Sequence, residues 1–300
     1  MFLNPSMTAF MNNKFRVSTI YRNQWQTVSP GYNTFFAGFE FQPWVSTNES
    51  KGLGLGVCFT NDVAGSLSFG ERDIAFSGSY FFSPDRYNRY YIAFGIQGMR
   101  KNWSMNLINA EFNREMTYDD NIRYDNLNTY DFSLGITLQY LGNNNNLLNI
   151  GLACFHINQP QLSYFADNST YMHRRISAQL SYMFPAKYYD NISLNPQLLL
   201  QHQHNYNEIL AGGDIIVNLN NTFFTDQVVS AGIYLRNLDA IVICPKYKYN
   251  DFTAGIAYDV NISKLSKVSN TYGAVELWLS YSFNPIYYKQ KTTKIPCPIF

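Results

Sequence analysis

Alternation of apolar and polar residues with a period of two runs through most of this chain. The run Ala274–Phe283 is the clearest example, because every second residue from Val275 onward is aliphatic or aromatic. The positions between them include a carboxylate and two hydroxyls. Tyr130–Tyr140 repeats the pattern, with acidic, hydroxyl and amide side chains on its polar face. A period of two places successive side chains on opposite faces, so both runs are predicted to be strands.

Read in this way, the sequence predicts about fourteen strands of similar length. They are Phe15–Gln24, Asn33–Gln42, Gly52–Thr60, Asp73–Phe82, Tyr90–Arg100, Tyr130–Tyr140, Leu148–Phe155, Arg174–Phe184, Ile192–His202, Glu208–Leu219, Val228–Arg236, Ala240–Lys246, Asp251–Val260 and Ala274–Phe283.

The predicted connections differ in length. Shorter ones, rich in Pro, Asn and Asp, are predicted at Pro43–Lys51, Ser83–Arg89, Leu141–Leu147, Pro185–Asn191, Asn220–Thr222 and Tyr247–Asn250. Longer ones are predicted at Asn61–Arg72, Lys101–Thr129, His156–His173 and Asn261–Gly273. Short turns on one rim and long loops on the other are typical of an outer-membrane barrel, with periplasmic turns and extracellular loops. We therefore predict an all-β fold, a closed antiparallel transmembrane β-barrel of about fourteen strands.

Composition favours the barrel over a soluble β-sandwich. Charged residues are 14% of the chain, against roughly 25% in an average soluble domain, whereas aromatic residues reach 17%. Mean hydropathy is nevertheless −0.23, as expected when an apolar lipid face and a polar lumen average out. The net charge of +1 gives no indication of nucleic-acid binding.

The chain divides into three predicted parts. Residues 1–14 are expected to be an N-terminal periplasmic or plug segment, residues 15–283 the barrel, and residues 284–300 a periplasmic tail. The first residues lack the basic and apolar regions of a signal peptide. Because export to the outer membrane requires such a peptide, we expect that it has been removed or that the given start is truncated. The tail is basic and proline-containing, and we expect it to order on a periplasmic partner.

Candidate chemistry is sparse, and no cofactor is predicted. His202 and His204 share a strand end, but two ligands make a weak metal site. A hydrolase would need a serine, a histidine and an orienting group at the rim, and the candidates are His156, His173, Ser163, Ser169 and Asp167. An acidic loop at 119–125 lacks EF-hand spacing. Three of the four cysteines are expected to be small apolar fillers within strands, with disulfides left open. The chain is therefore predicted not to be an enzyme.

Other polar residues have predicted roles in binding or closure. Arg22, Gln24 and Trp25, at the end of the first strand, are predicted to seal the barrel wall or fix the long loops, or else to anchor the chain at the membrane interface. Asp62 and Gly65 are predicted to shape a turn. Inward charges of both signs are expected to pair across the lumen, which favours an occluded interior over a strongly selective pore. They are Glu40, Asp131, Asp214, Arg236, Asp259 and Glu276.

Several segments, in order, resemble the PorP/SprF proteins of the type IX secretion system of Bacteroidetes. They are Leu3–Pro5, Tyr21–Trp25, Gly52–Val57 with Asp62 and Gly65, His156 with Pro160 and Ser163, Pro196 with Gln201, Gly255 with Tyr258 and Asp259, Glu276–Phe283, and Pro296–Phe300. The stretch Asn4–Phe10 departs from the family because it lacks the usual Ala-Tyr-Ala-Gly.

The resemblance implies an outer-membrane component of the secretion and gliding machinery. Its implied partners are membrane lipid and lipopolysaccharide, periplasmic lipoprotein or ring components, and a secreted adhesin or other cargo protein. Within the tail, Pro296, Cys297 and Phe300 match the family's ending and are candidate docking residues. A solute channel of the outer membrane remains the alternative function.

Overall fold

A computed structural model describes most of the chain. The described residues are 3–24, 31–65, 69–104, 126–143, 146–163, 170–221, 226–263, 266–269 and 271–284. Within these ranges the chain forms one closed barrel of fourteen strands, in which each strand is antiparallel to both neighbours and β1 closes the wall against β14. The predicted fold class is confirmed.

The strands follow one another around the wall in chain order. They are β1 Phe15–Gln24, β2 Tyr32–Val45, β3 Lys51–Ala64, β4 Phe69–Phe82, β5 Tyr90–Ser104, β6 Asn126–Leu141, β7 Leu147–Phe155, β8 Arg175–Ala186, β9 Tyr189–Gln203, β10 Tyr206–Asn221, β11 Asp226–Arg236, β12 Ala240–Tyr249, β13 Phe252–Asn261 and β14 Tyr272–Phe283. We call the rim where β1 begins and β14 ends the terminal rim, and the opposite one the loop rim.

The outer surface of the barrel is apolar and its inner surface is polar. Phe76 and Ile96 point outward and expose about two thirds of their area, 66% and 64%. The inward Gln139 and Thr137 are almost completely buried. A soluble sheet packs its apolar side chains inside, so this inverted distribution is what lipid around the wall requires.

Two predicted turns begin too early, each at a proline that belongs to the preceding strand. Pro43 lies inside β2, where the register with β3 shifts between Phe41 and Trp44. Pro185 lies inside β8, where the register with β9 shifts after it. Proline lacks an N–H donor and is tolerated where a bulge already interrupts the ladder. Both strands therefore pass through a proline that the sequence pattern placed in a turn.

The wall is uneven in height at the loop rim. Strands β3 to β6 each continue four residues beyond their predicted ends there, from Thr60 to Ala64, Asp73 to Phe69, Arg100 to Ser104 and Tyr130 to Asn126. The predicted long loop Asn61–Arg72 is therefore wrong, because only residues 65–68 separate β3 from β4. The extra residues are mostly polar on both faces, so the alternation that marks a membrane strand stops before the strand does.

The longest connections lie at the loop rim, at 105–125, 156–174 and 262–271. That rim also carries two tight connections, at 204–205 and 237–239. A short helix, α1 (Ser266–Ser269), lies in the last of the long loops, and a 3₁₀ turn at Pro5–Met7 precedes β1. No helix in the described ranges is long and apolar enough to cross a membrane.

Candidate functional site

The residues before β1 lie against the inner wall of the barrel. We call residues 3–14 the N-terminal segment. Its 3₁₀ turn contacts β4, β5 and β6, and the hydrogen bonds of residues 3–11 reach from β2 to β8, whereas Asn13 bonds to β14 at the terminal rim. Asn4, Ser6 and Thr8 are almost completely buried. Residues 3–11, which are not in the wall, therefore lie against half of the strands around the lumen.

Asn4 is the most heavily bonded residue of the N-terminal segment. Its Nδ2 donates to the carbonyl oxygens of Ile136 and Leu152 and to Thr137 Oγ1, at 3.2–3.3 Å. Its Oδ1 accepts from the amide of Ser6 at 3.0 Å and from Ser6 Oγ at 2.7 Å, which caps the 3₁₀ turn. The same side chain thus fixes the turn and attaches it to β6 and β7.

Two glycines let the N-terminal segment approach the wall. Gly95 and Gly135 face each other across β5 and β6 in the strand register. A Cβ atom at Gly95 would collide with the backbone of Pro5 and Ser6, and one at Gly135 would collide with the side chain of Asn4. Close approach of a second backbone is a use to which glycine in a strand is suited.

The far end of the segment is held by β2 and by an apolar cluster. Glu40 Oε1 accepts from the amide of Ala9 at 2.9 Å, and Gln42 Nε2 donates to the carbonyl oxygens of Ala9 and Met11 at 2.8 and 2.7 Å. Phe10 packs on Phe81 with ring centroids 5.1 Å apart, and Tyr91 completes this buried cluster. Apolar burial and backbone hydrogen bonds therefore both contribute to docking.

The opposite wall is lined by ion pairs close to the loop rim. Arg22 Nη1 lies 3.1 Å from Glu276 Oε2, and Arg22 Nη2 lies 3.1 Å from Asp259 Oδ2. Asp259 Oδ2 also lies 2.5 Å from Arg236 Nη1, and Arg236 reaches Glu208 at 3.5 Å. We call these five residues the seam network, because Arg22 and Glu276 are register partners across the closure of β1 and β14.

A more deeply buried pair lies lower on the same wall. Lys246 Nζ lies 2.8 Å from Asp214 Oδ2, and the two side chains expose 8% and 2% of their area. Gln197 Nε2 donates to the same carboxylate at 2.9 Å. Glu40 pairs with Arg16, and Asp131 hydrogen-bonds to His156. The described inward carboxylates therefore find partners on the same or nearby strands of the wall, and not across the lumen as the sequence predicted.

The hydrolase candidates are only partly brought together. His156 Nδ1 lies 2.6 Å from Asp131 Oδ2, a buried pair whose carboxylate the sequence interpretation did not propose as its partner. The inward position of Asp131 on β6, next to the β7 end that leads into His156, was the available signal. Ser163 is buried in the following loop. Asp167 and Ser169 lie outside the described residues.

The histidines of the loop rim form a different pair from the one the sequence suggested. His204 stacks on His173 with ring centroids 4.0 Å apart, whereas His202 Nδ1 lies 2.7 Å from Asn207 Oδ1. Across the described ranges, no group of three or more histidine, cysteine or acidic side chains is placed to hold a metal ion. The acidic loop at 119–125 lies outside those ranges.

The remaining predicted site residues are placed as follows. Arg22 and Gln24 end β1 and lie on its inner face. Gly65 follows β3 with φ +67°, which suits a turn. Asp62 does not lie in that turn, because it belongs to β3 and accepts a hydrogen bond from Thr34 Oγ1 at 2.8 Å. Trp25, Pro296, Cys297 and Phe300 lie outside the described residues. The three described cysteines, Cys58, Cys154 and Cys244, are free thiols.

Solved outer-membrane barrels share the fold over most of this chain. The toluene transporter TbuX of Ralstonia pickettii is 9% identical, with a TM-score of 0.55, covering 94% of this chain and 92% of its own. The TodX ΔS2S3 variant, a monoaromatic hydrocarbon channel, is 10% identical with a TM-score of 0.56, covering 95% and 94%. CymD, another such channel, is 11% identical with a TM-score of 0.52, covering 95% and 92%. At these identities the likeness shows the fold alone.

No curated protein matches the sequence. The family model of the type IX secretion system membrane protein PorP/SprF matches residues 1–281, which include the N-terminal segment and nearly the whole barrel. That match, together with a fold shared with outer-membrane barrels, places the chain in the outer membrane. The chain belongs to the PorP/SprF family of type IX secretion system membrane proteins.

Proposed function

We propose that this protein is a non-enzymatic component of type IX secretion or gliding that acts by recognition. The loop rim faces the cell exterior and binds a secreted adhesin or other cargo protein. The terminal rim faces the periplasm, where residues 284–300 dock a lipoprotein or ring component of the machinery. Membrane lipid and lipopolysaccharide surround the wall.

The observation that carries this proposal is that the polar groups of the barrel interior bond to other residues of the same chain. The N-terminal segment is bonded to the wall from β2 to β8, and acidic and basic side chains on the other wall are paired with each other. A general pore needs a water-filled lumen whose lining is free to meet solutes. An interior bonded to its own chain supports recognition at the rims.

The lengths of the connections support the proposed orientation of the barrel in the membrane. Both β1 and β14 meet the terminal rim with their free ends, whereas the longest connections lie at the loop rim. In bacterial outer-membrane barrels the short turns are periplasmic and the longer loops extracellular. We therefore assign the tail and the end of the N-terminal segment, where it joins β1, to the periplasmic side.

Affinity purification from native outer membranes tests the two rims separately. Deleting Ile295–Phe300 is expected to reduce recovery of a periplasmic machinery component and to leave recovery of the secreted protein unchanged. Shortening the loop at 105–125 is expected to have the opposite effect. Each variant serves as the control for the other. Unchanged recovery of both partners from both assembled variants would refute the recognition role.

The alternative is a solute channel. The functions of TbuX, TodX and CymD as a transporter and channels suggest it, although the likeness shows only a shared fold. Planar-bilayer recording of the purified wild-type protein distinguishes the two. Recognition at the rims predicts little steady conductance, because the N-terminal segment is bonded inside the lumen. A large, steady conductance of the wild-type barrel would favour the channel.

A further inference from the structure

The outer face of the wall carries two exposed arginines where β4 and β5 rise toward the loop rim. Arg72 on β4 lies opposite Asn102 on β5, and Arg100 lies opposite Ile74, so the two arginines are diagonal neighbours. Diagonal partners in an antiparallel pair have Cα atoms about 7–8 Å apart, within reach of two long side chains that converge on one ligand. Both residues are exposed on the surface that faces lipid.

The arginines lie at one edge of the apolar band. On β4 the outward positions run from Phe82 at the terminal rim to Ile74, immediately below Arg72. Eight residue steps of about 3.4 Å, tilted by about 40°, span about 21 Å, close to the roughly 25 Å apolar band of such barrels. Arg72 and Arg100 therefore reach the headgroup level of the leaflet on the loop-rim side.

The surroundings of the pair are uncharged. Arg72 Nε donates to Asn61 Oδ1 at 3.3 Å, and Arg100 Nη2 donates to Asn128 Oδ1 at 3.2 Å. Each guanidinium has five N–H donors, so most of them remain available for a ligand.

The carboxylates of β3 to β6 all belong to the inner face, where they bond to inward-facing partners. They are Asp62, Glu71, Asp73 and Asp131. The two positive charges therefore meet no opposite charge on the described outer surface of these strands.

We propose that Arg72 and Arg100 form a binding site for a phosphate of lipid A in lipopolysaccharide. Guanidinium groups bind phosphate through paired, charge-assisted hydrogen bonds, and the depth of the site matches a lipid headgroup rather than a soluble anion. Four strands extended above the apolar band give the phosphate a rigid polar wall. The inference rests on the proposed orientation, in which the loop rim lies on the lipopolysaccharide side.

Lipid binding by the purified, delipidated barrel tests this site directly. The protein in mixed micelles is titrated with lipid A, and bound lipid is counted by native mass spectrometry. R72Q/R100Q is expected to bind lipid A about tenfold more weakly or worse, because two charge-assisted pairs are lost. R86Q is the matched control, since Arg86 is an exposed arginine in the turn between β4 and β5 at the terminal rim. It is expected to bind as the wild type does.

Two further measurements use the wild-type protein, so the result does not depend on assembly of the variants. Wild type is expected to prefer lipid A to its dephosphorylated form and to phosphatidylglycerol. Equal affinity for either comparison lipid, or equal lipid A binding by wild type and folded R72Q/R100Q, would overturn the proposal. The lipid-binding assay contains no secretion partner, so a negative result there does not contradict the proposed recognition role. Likewise, a negative co-purification result does not contradict lipid A binding.

Discussion

Replacing Asn4 by alanine should release the N-terminal segment without unfolding the barrel. The Asn4 side chain takes part in five hydrogen bonds, three donated by Nδ2 and two accepted by Oδ1. Two N–H groups share the three donated bonds, so about four bonds of roughly 0.5–1.5 kcal/mol each give a net loss of about 2–6 kcal/mol in docking free energy. None of the strand ladders passes through this side chain, so the wall itself keeps its pairing.

Hydrogen exchange of the Ala9 amide is the appropriate assay, because that amide bonds to Glu40 Oε1 and lies far from the substituted side chain. If the segment detaches as a unit, a loss of about 2–6 kcal/mol raises the exchange rate about 30- to 20,000-fold. Asn13→Ala is the control, since Asn13 bonds at the terminal rim to Asp251 and to the carbonyl oxygen of Ser282. Asn13→Ala is expected to have little effect on the exchange rate of the Ala9 amide.

The reasoning fails if Ala9 in folded Asn4→Ala exchanges within about threefold of the wild-type rate. That result would mean that Gln42, Glu40 and the Phe10 cluster hold the segment independently of Asn4. A loss of protection in the barrel strands would refute the second half of the prediction, that the segment is separable from the wall.

Three further substitutions have expected outcomes. Gly135→Val is expected to displace Asn4 and to speed exchange of the N-terminal segment as Asn4→Ala does, in a barrel that still resists SDS without heating. Asp214→Asn leaves the buried ammonium of Lys246 without its counter-charge, and we expect a loss of about 3–5 kcal/mol in unfolding free energy by denaturant titration in detergent. Arg22→Gln removes the charge that joins two carboxylates at the seam, and we expect about 1–3 kcal/mol by the same titration.

The exposed pair of Lys248 and Asp226 provides the contrast for the buried one. Its side chains expose 39% and 43% of their area. Lys248→Met is therefore expected to change the unfolding free energy by less than about 1 kcal/mol. If this variant and Asp214→Asn lose the same stability, burial is not what makes the inner pair important.

Alternation predicted all fourteen strands and, for β6 and β14, which face is polar, because both depend only on neighbouring residues. It failed where the sequence stops alternating but the strand does not. Asn61, Asp62 and Arg72 are polar, and their strands nevertheless continue because β3, β4 and β5 support one another above the apolar band. Asp62 was assigned to a turn for the same reason, and it is an inward strand residue.

The seam network shows that assigning a residue to the inner face does not determine which partner it binds. Sequence placed Asp259 and Glu276 on the inner face, and the pairing of opposite charges followed from electrostatics. The identity of their cation did not follow, because Arg22 is 237 residues from Asp259 along the chain. Only closure of β1 against β14 brings them together, and the register of that closure is not encoded in the local pattern.

The sequence contains one signal for the docking of the N-terminal segment, a pair of inward glycines, but this signal has two possible interpretations. Gly95 and Gly135 are inward glycines on different strands, and inward glycine also suits a wide, solvent-filled lumen. Gly95 and Gly135 are direct partners in the strand register, and this pairing favours a docked segment over a solvent-filled lumen. Two opposed glycines weaken a sheet, because neither contributes a side chain to the cross-strand contact. A wall retains such a pair where something else occupies the space, and here Asn4, Pro5 and Ser6 occupy it. Glycines opposed on the inner face therefore indicate a segment lying against the wall.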